Sequence, residues 1–210
     1  NNSTLTFSSC TFTSNVSKLE AGAINSLNST LSLTNCSFTS NQNANANGGG
    51  AIYILGGSLT DVNGTYTNNS SATASSGGAI DANGSTLTLT GCLFTGNQSH
   101  LDGGAINSNS CILILTNCSF TANLNLDANG GGAINIVGGS LTDINGTYTS
   151  NSCAPASGGG AIQWAGSEAF FASTTFDSNK APSYRGGAIL ATTGTLTFSN
   201  CSFQSNFSGA

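Results

Sequence analysis

Charge is the scarcest property of this 210-residue chain, which has three Lys or Arg, eight Asp or Glu and one His, for a formal net charge of −5. With Lys18, Lys180 and Arg185 as its only cations, the surface cannot neutralise a run of phosphates or hold an anionic bilayer through a polybasic patch. Nucleic acid is therefore not an expected partner. Long apolar runs are missing too. Stretches such as Ile112 to Leu115 fall far short of the roughly 20 apolar residues that cross a bilayer as a helix, so no membrane insertion is expected within this segment. Methionine is absent, proline occurs twice and tryptophan once. No stretch carries the apolar period of an amphipathic helix of ordinary length. There is no Cys-x-x-Cys pair and no Cys/His group, so neither a metal nor a cofactor is expected.

What the chain has is repetition. Gly-Gly-Ala-Ile stands at Gly49 to Ile52, Gly77 to Ile80, Gly103 to Ile106, Gly131 to Ile134, Gly159 to Ile162 and Gly186 to Ile189, after a variant at Ala21 to Ile24. Between the copies lies a second phrase, an aromatic, two further residues and an asparagine. It occurs at Phe12 to Asn15, Phe38 to Asn41, Tyr66 to Asn69, Phe94 to Asn97, Phe120 to Asn123, Tyr148 to Asn151, Phe176 to Asn179 and Phe203 to Asn206. Both phrases advance by 26 to 28 residues. A unit that short cannot bury its own apolar face, so it must stack on its neighbours. Alternation such as Thr86-Leu87-Thr88-Leu89-Thr90 marks the parts of a unit as short strands.

The expected fold is all-β: a right-handed, three-sided parallel β-helix of about eight coils of 26 to 28 residues, with no regular helices and one segment over residues 1–210. Stacked coils place identical residues about 4.8 Å apart as ladders. Leu31, Leu33, Leu87, Leu89, Leu113, Leu115 and Leu196 should point inward, because strand side chains alternate faces. The aromatic fills the interior one strand later, and its asparagine turns inward at a corner to bond the next coil. The glycine pairs supply turns or close backbone approach. A phosphate-cradling loop would need a P-loop lysine and an opening helix, and neither accompanies any copy.

A longer period overlies the short one. Asn35 to Ile80 and Asn117 to Ile162 share five phrases at a constant offset of 82 residues, so three coils form a super-repeat. Reproduced differences among coils point to outer faces that matter along the length. The chain also starts and stops inside a repeat, and uncapped strand edges pair readily. It is expected to be part of a longer protein, or a unit that associates with copies of itself end to end or laterally.

The most specific chemical signal is the sequon Asn-x-Ser/Thr, met by fourteen asparagines. Asn35, Asn63, Asn117, Asn145 and Asn200 each lie three residues before a coil aromatic, and Asn28 and Asn83 meet the sequon elsewhere. This register would raise covalent N-glycans along one edge of the solenoid, with turn hydrogen bonding as the alternative role for these asparagines. Asn1 and Asn2 are also sequons. The sequons of the aromatic phrase, Asn15, Asn69, Asn97 and Asn206, rank lower because an inward amide cannot carry a sugar. Cys10, Cys36, Cys92, Cys118 and Cys201 all sit two residues before the aromatic. Cys10 with Cys36, and Cys92 with Cys118, fall within disulfide range in neighbouring coils, with buried free thiols as the alternative. Cys111 and Cys153 occupy other registers and Cys201 would need a partner in a further coil, so none of the three is assigned a partner.

Catalytic groups are sparse. His100 is the single histidine and has no evident nucleophile or orienting acid. Asp61 and Asp143 are super-repeat equivalents three coils apart, while Asp81, Asp102, Asp127 and Asp177 occupy other registers, so the paired carboxylates of glycoside hydrolysis are not evident. Trp164 with Gln163 and Glu168 could form a sugar-stacking platform, although core filling suits a lone tryptophan better. An enzyme is not expected.

Gly-Gly-Ala-Ile alternating with Phe-x-x-Asn, as at Gly103 to Ile106 and Phe120 to Asn123, resembles the repeat pair of the chlamydial polymorphic outer-membrane proteins, within the pectin-lyase-like parallel β-helix superfamily. The resemblance covers essentially the whole chain. It implies an extracellular or cell-surface location and an adhesive or structural role on a β-helical passenger. Two features depart from that family: no autotransporter barrel lies in these residues, and registered sequons fit a eukaryotic secretory protein. The expected function is a structural, non-enzymatic module of an extracellular, N-glycosylated filament or surface appendage. Alternatives are an adhesin for host or glycan ligands, and an ice-binding solenoid built on outward Thr-x-Thr pairs such as Thr65 and Thr67, Thr86 and Thr88, Thr147 and Thr149, and Thr195 and Thr197. Those pairs shift register along the sequence, whereas ice binding needs a flat ladder.

Overall fold

The computed structural model describes residues 2–44, 48–72, 75–126, 130–154, 158–182 and 185–209. Every strand pair in it is parallel, and the strands form three sheets with no helix among the described residues. Each full coil contributes an isoleucine arm, a leucine arm, a three-residue aromatic strand and a two-residue strand. The two arms merge into single strands at Ile24–Thr34 and Ile52–Val62, which joins them into one 13-stranded sheet. The aromatic and two-residue strands form the other two sheets, of eight strands each. Eight aromatic levels, Phe12 to Phe203, are therefore separated by seven turns, in keeping with the coil length read from the sequence.

Register follows the two phrases residue by residue. Ile24, Ile52, Ile80, Ile106, Ile134, Ile162 and Ile189 pair in succession. Leu31, Leu33, Leu87, Leu89, Leu113 and Leu115 are fully buried, and Leu196 packs against the same core in the last coil. Corners on both sides of the aromatic strand use left-handed backbone. Before it stand Ser9, Asn35, Asn63, Gly91, Asn117, Asn145, Ser173 and Asn200, with φ between 52° and 65°. This conformation suits glycine, tolerates asparagine and is unfavourable for most other side chains. The second glycine of Gly-Gly-Ala-Ile has a different reason: a Cβ at Gly104 would run into the Gly132 carbonyl of the next coil and the backbone of Leu124. Backbone contact, not ligand binding, explains that glycine.

Two ladders run through the interior. The rings of Phe12, Phe38, Tyr66, Phe94, Phe120, Tyr148, Phe176 and Phe203 stack at centroid spacings of 4.6 to 4.9 Å. Beside them, the Nδ2 of each phrase asparagine donates to the Oδ1 of the next, from Asn15 to Asn206, at 2.8 to 3.0 Å. That Oδ1 also accepts the preceding asparagine's backbone N–H, as from Asn69 to Asn97 at 3.0 Å. The remaining Nδ2 hydrogen goes to the carbonyl of an aromatic one coil back, as from Asn97 to Tyr66 at 2.9 Å. An interior amide thus uses its two donors and both acceptor sites.

Asn97→Ala removes the acceptor for two buried donors of Asn69 and the donor to the Tyr66 carbonyl. With about 1–3 kcal/mol for each buried group left unpaired, the expected loss in urea unfolding is about 3 kcal/mol or more. A loss below about 0.5 kcal/mol, typical of a bland surface change, would contradict the role given to this ladder.

Candidate functional site

The asparagines of the glycan register all occupy the left-handed corner and are exposed: Asn35, Asn63, Asn117, Asn145 and Asn200. Neighbours bond each other across coils, Asn63 Nδ2 to Asn35 Oδ1 at 3.2 Å and Asn145 Nδ2 to Asn117 Oδ1 at 3.1 Å. Ser9, Gly91 and Ser173 take the same corner, so backbone conformation alone favours asparagine here. Asn28 is exposed at another left-handed corner, and Asn83 is exposed beside Gly84. Asn69 and Asn97, by contrast, are fully buried in the amide ladder. Asn1 and Asp127 lie outside the described residues.

The cysteine register forms a column at successive levels: Cys10, Cys36, Gly64, Cys92, Cys118, Gly146, Thr174 and Cys201. All seven cysteines of the chain are free thiols. The column thiols donate to carbonyls one coil back, Cys36 to Phe7 at 3.5 Å, Cys118 to Leu89 at 3.4 Å and Cys201 to Phe171 at 3.4 Å. Thr174 makes the equivalent bond through its hydroxyl, to Asp143 at 3.4 Å. Cys10 with Cys36 and Cys92 with Cys118 do occupy adjacent levels. The neighbouring Cys118 thiol and burial hold Cys92 protonated. Cys111 accepts the Ser85 N–H at 3.3 Å, and burial pushes Cys153 up to about 11.

The two glycine levels in that column expose something the sequence patterns did not predict. Asp61 and Asp143 stand at the inward position that Leu33, Leu89 and Leu115 occupy in other coils, with no solvent exposure. Each carboxylate fills the space beside a glycine: a Cβ at Gly64 or Gly146 would collide with Asp61 or Asp143. The coil's aromatic is then tyrosine, and Tyr66 donates its phenol to Asp61 Oδ2 at 2.7 Å. Leucine, cysteine and phenylalanine are thus exchanged together for aspartate, glycine and tyrosine, once in each super-repeat. Asp143 and Tyr148 lie close enough to influence each other's ionisation, yet neither finds a hydrogen bond of good geometry. Both Asp143 carboxylate oxygens and the Tyr148 hydroxyl are buried without a hydrogen-bond partner among the described residues. Burial pushes Asp143 up to about 7 and raises Asp61, which the Tyr66 hydrogen bond partly offsets.

A second polar run lies on the isoleucine arms. Asn135 donates to Asn107 at 2.9 Å, and Asn107 donates to Asp81 at 2.8 Å. Asp81 is lifted to about 6, chiefly by burial and in part by the negative charge of Asp102, against the lowering effect of the Asn107 hydrogen bond. The structure therefore brings two carboxylates into electrostatic reach that sequence registers had kept apart. Asp81 is only 8% exposed, and Asp102 accepts from Ser76 at 3.2 Å. His100 lines a cleft of about 230 Å³ with Gln42, Ser70, Ser71, Ala72 and Gln98. Trp164 is fully buried, so it belongs to the core and forms no platform with Glu168. No group of three metal-ligating side chains occurs among the described residues.

A family model described as the Chlamydia polymorphic membrane protein repeat matches residues 91–109 and 173–192. Each match contains one aromatic-x-x-Asn phrase followed by one Gly-Gly-Ala-Ile, at Phe94 to Ile106 and Phe176 to Ile189. Comparison with curated proteins and with solved structures found no match. The repeats are thus similar to polymorphic membrane protein repeats, on a parallel β-solenoid.

The buried carboxylates set a pH dependence. Asp143 has a folded value of about 7 against about 3.9 unfolded, so the native state binds the proton more tightly. Stability is complete below about pH 4 and falls as pH rises through about 7, by roughly 4 kcal/mol for a shift of this size. Asp61 and Asp81 act in the same direction. Urea midpoints should decrease from pH 4 to pH 8. Asp143→Asn, neutral and of similar shape, should match the parent at pH 4 and exceed it at pH 8; a parent midpoint that stays level or climbs over this range would refute the assignment.

Proposed function

We propose that the chain is a structural, non-enzymatic module of an extracellular, N-glycosylated filament or surface appendage. The observation that carries this is the pair of interior ladders, aromatic and amide, which pass through all eight aromatic levels without a break. Ladders that repeat at every level suit a scaffold whose coils stack on their neighbours along its whole length. Here the polar departures at Asp61 and Asp143 are buried and recur with the super-repeat. Similarity to a membrane-protein repeat supports a cell-surface setting. A further coil stacked on the Phe203 ring and the Asn206 amide would extend both ladders, whether it belonged to the same chain or to another.

Exposure of the corner asparagines supports glycan attachment, and the spacing sharpens it. Asn35 and Asn63 are roots on adjacent levels, as are Asn117 and Asn145, about 4.8 Å apart. Two sugars rooted that close compete for one volume, so one occupied site per pair is expected, with Asn200 independent. The similarity to polymorphic membrane protein repeats also favours a second reading, an adhesin that binds cells as a monomer.

Electron microscopy of native material, with intact mass before and after glycosidase treatment, separates these readings. Filaments with a sugar-shifted mass, and glycopeptides carrying one glycan per adjacent pair, are expected. An unmodified monomer that forms no filaments but binds cells would replace the filament reading with the adhesin.

A further inference from the structure

The Thr-x-Thr pairs that seem to shift register in the sequence belong to two different sheets, and on one of them they align. On the aromatic sheet, Thr13, Thr39, Thr67, Thr95, Thr121 and Thr149 pair in unbroken succession. Two residues earlier on each strand runs a parallel column, Thr11, Ser37, Thr65, Leu93, Ser119, Thr147, Thr175 and Ser202. The sequon explains hydroxyls in that second column, because its Ser or Thr falls there in five coils. It does not explain the six threonines of the first.

Successive levels repeat with little change along this face: the rings between the two hydroxyl columns stay parallel to within 3 to 8° and stack at 4.6 to 4.9 Å from one level to the next. Each ring is packed in the core between the two outward side chains of its own strand, so the stack that holds the rings also holds the hydroxyls. Threonine is branched at Cβ and stiff about χ1. The result is a rigid net with spacings of about 4.8 Å between strands and about 6.8 Å along them. Among the described residues the hydroxyls of Thr13, Thr67, Thr95, Thr121 and Thr149 have no hydrogen-bond partner, and the side-chain bonds within the columns are those of Ser37 with Thr39 and Gln204 with Ser202. No charged side chain interrupts the two columns before Asp177.

We propose that this face binds a flat periodic water lattice, the surface of an ice crystal. Free hydroxyls at fixed spacing can take lattice positions of water, while the threonine methyls exclude disordered solvent between them. Neutrality matters because an ion would impose its own hydration shell. A polysaccharide would be served by exposed aromatic platforms, and this face has none from Thr11 to Thr149. A second protein copy would find Leu93 as the one large apolar side chain in the columns over that span. This inference does not depend on filament assembly.

The test uses the full chain, with any N-glycans removed enzymatically, partitioned between slowly growing ice and liquid. Enrichment in the ice and inhibited recrystallisation are expected. Thr67→Lys with Thr121→Lys should abolish both while leaving the circular dichroism unchanged. Thr60→Lys with Thr88→Lys, on the outer face of the leucine arms, should leave both intact. Exclusion of the parent from ice overturns the proposal, as does equal loss in both double variants. Retention on crystalline chitin or cellulose without ice enrichment would assign the face to polysaccharide, and dimerisation blocked by Thr67→Lys without ice enrichment would assign it to a second copy.

Discussion

The asparagine ladder is the constraint on which the rest of the molecule depends. Because each interior amide bonds three groups in neighbouring coils, from Asn41 to Asn179, it fixes the separation of coils, their lateral offset and the angle between them. A coil rotated by the twist of an ordinary sheet would break the second bond of every amide. The aromatic stack reinforces the same geometry, since rings held 4.6 to 4.9 Å apart lose contact when they turn. In this way two modest interactions, repeated at each level, hold successive coils in one register.

Such a core accepts substitution only in coordinated sets. A carboxylate at Asp61 requires the missing Cβ of Gly64 and gains the phenol of Tyr66. Exchanging any one of the three alone would overfill the coil or leave a buried polar group unpaired. The same set recurs at Asp143, Gly146 and Tyr148, although Asp143 is less well satisfied there. The super-repeat is therefore visible inside the protein as well as on its surface. At both sites the fold favours the protonated acid.

The amide ladder uses its own donors and acceptors within the core, and the functions proposed for the chain rest on its outer face. Along each aromatic strand the outside is shared: a corner asparagine, a sequon hydroxyl and a threonine lie within a few residues of one another, as at Asn63, Thr65 and Thr67. A glycan attached at the corner would compete with the proposed hydroxyl face for that strip, so the two proposals meet at the occupancy of the corner asparagines.

Much of this could be read from the sequence, because a stacked fold turns spatial neighbours into residues one period apart. The repeat length, the inward leucines, the aromatic filling and the inward corner asparagine all follow from alternation and period, and the structure shows each of them. The limits are equally physical. Asp81 feels the negative charge of Asp102 although the two occupy different registers of the repeat. Thr65 and Thr86 look alike in sequence, but one lies on the aromatic sheet and the other on the leucine arm. The sequence by itself determined a parallel solenoid and its coil length, since period and alternation are properties of the chain. Only the tertiary structure decided which hydroxyls line one sheet and which carboxylates are buried, since both depend on how the strands of each coil are shared among three sheets.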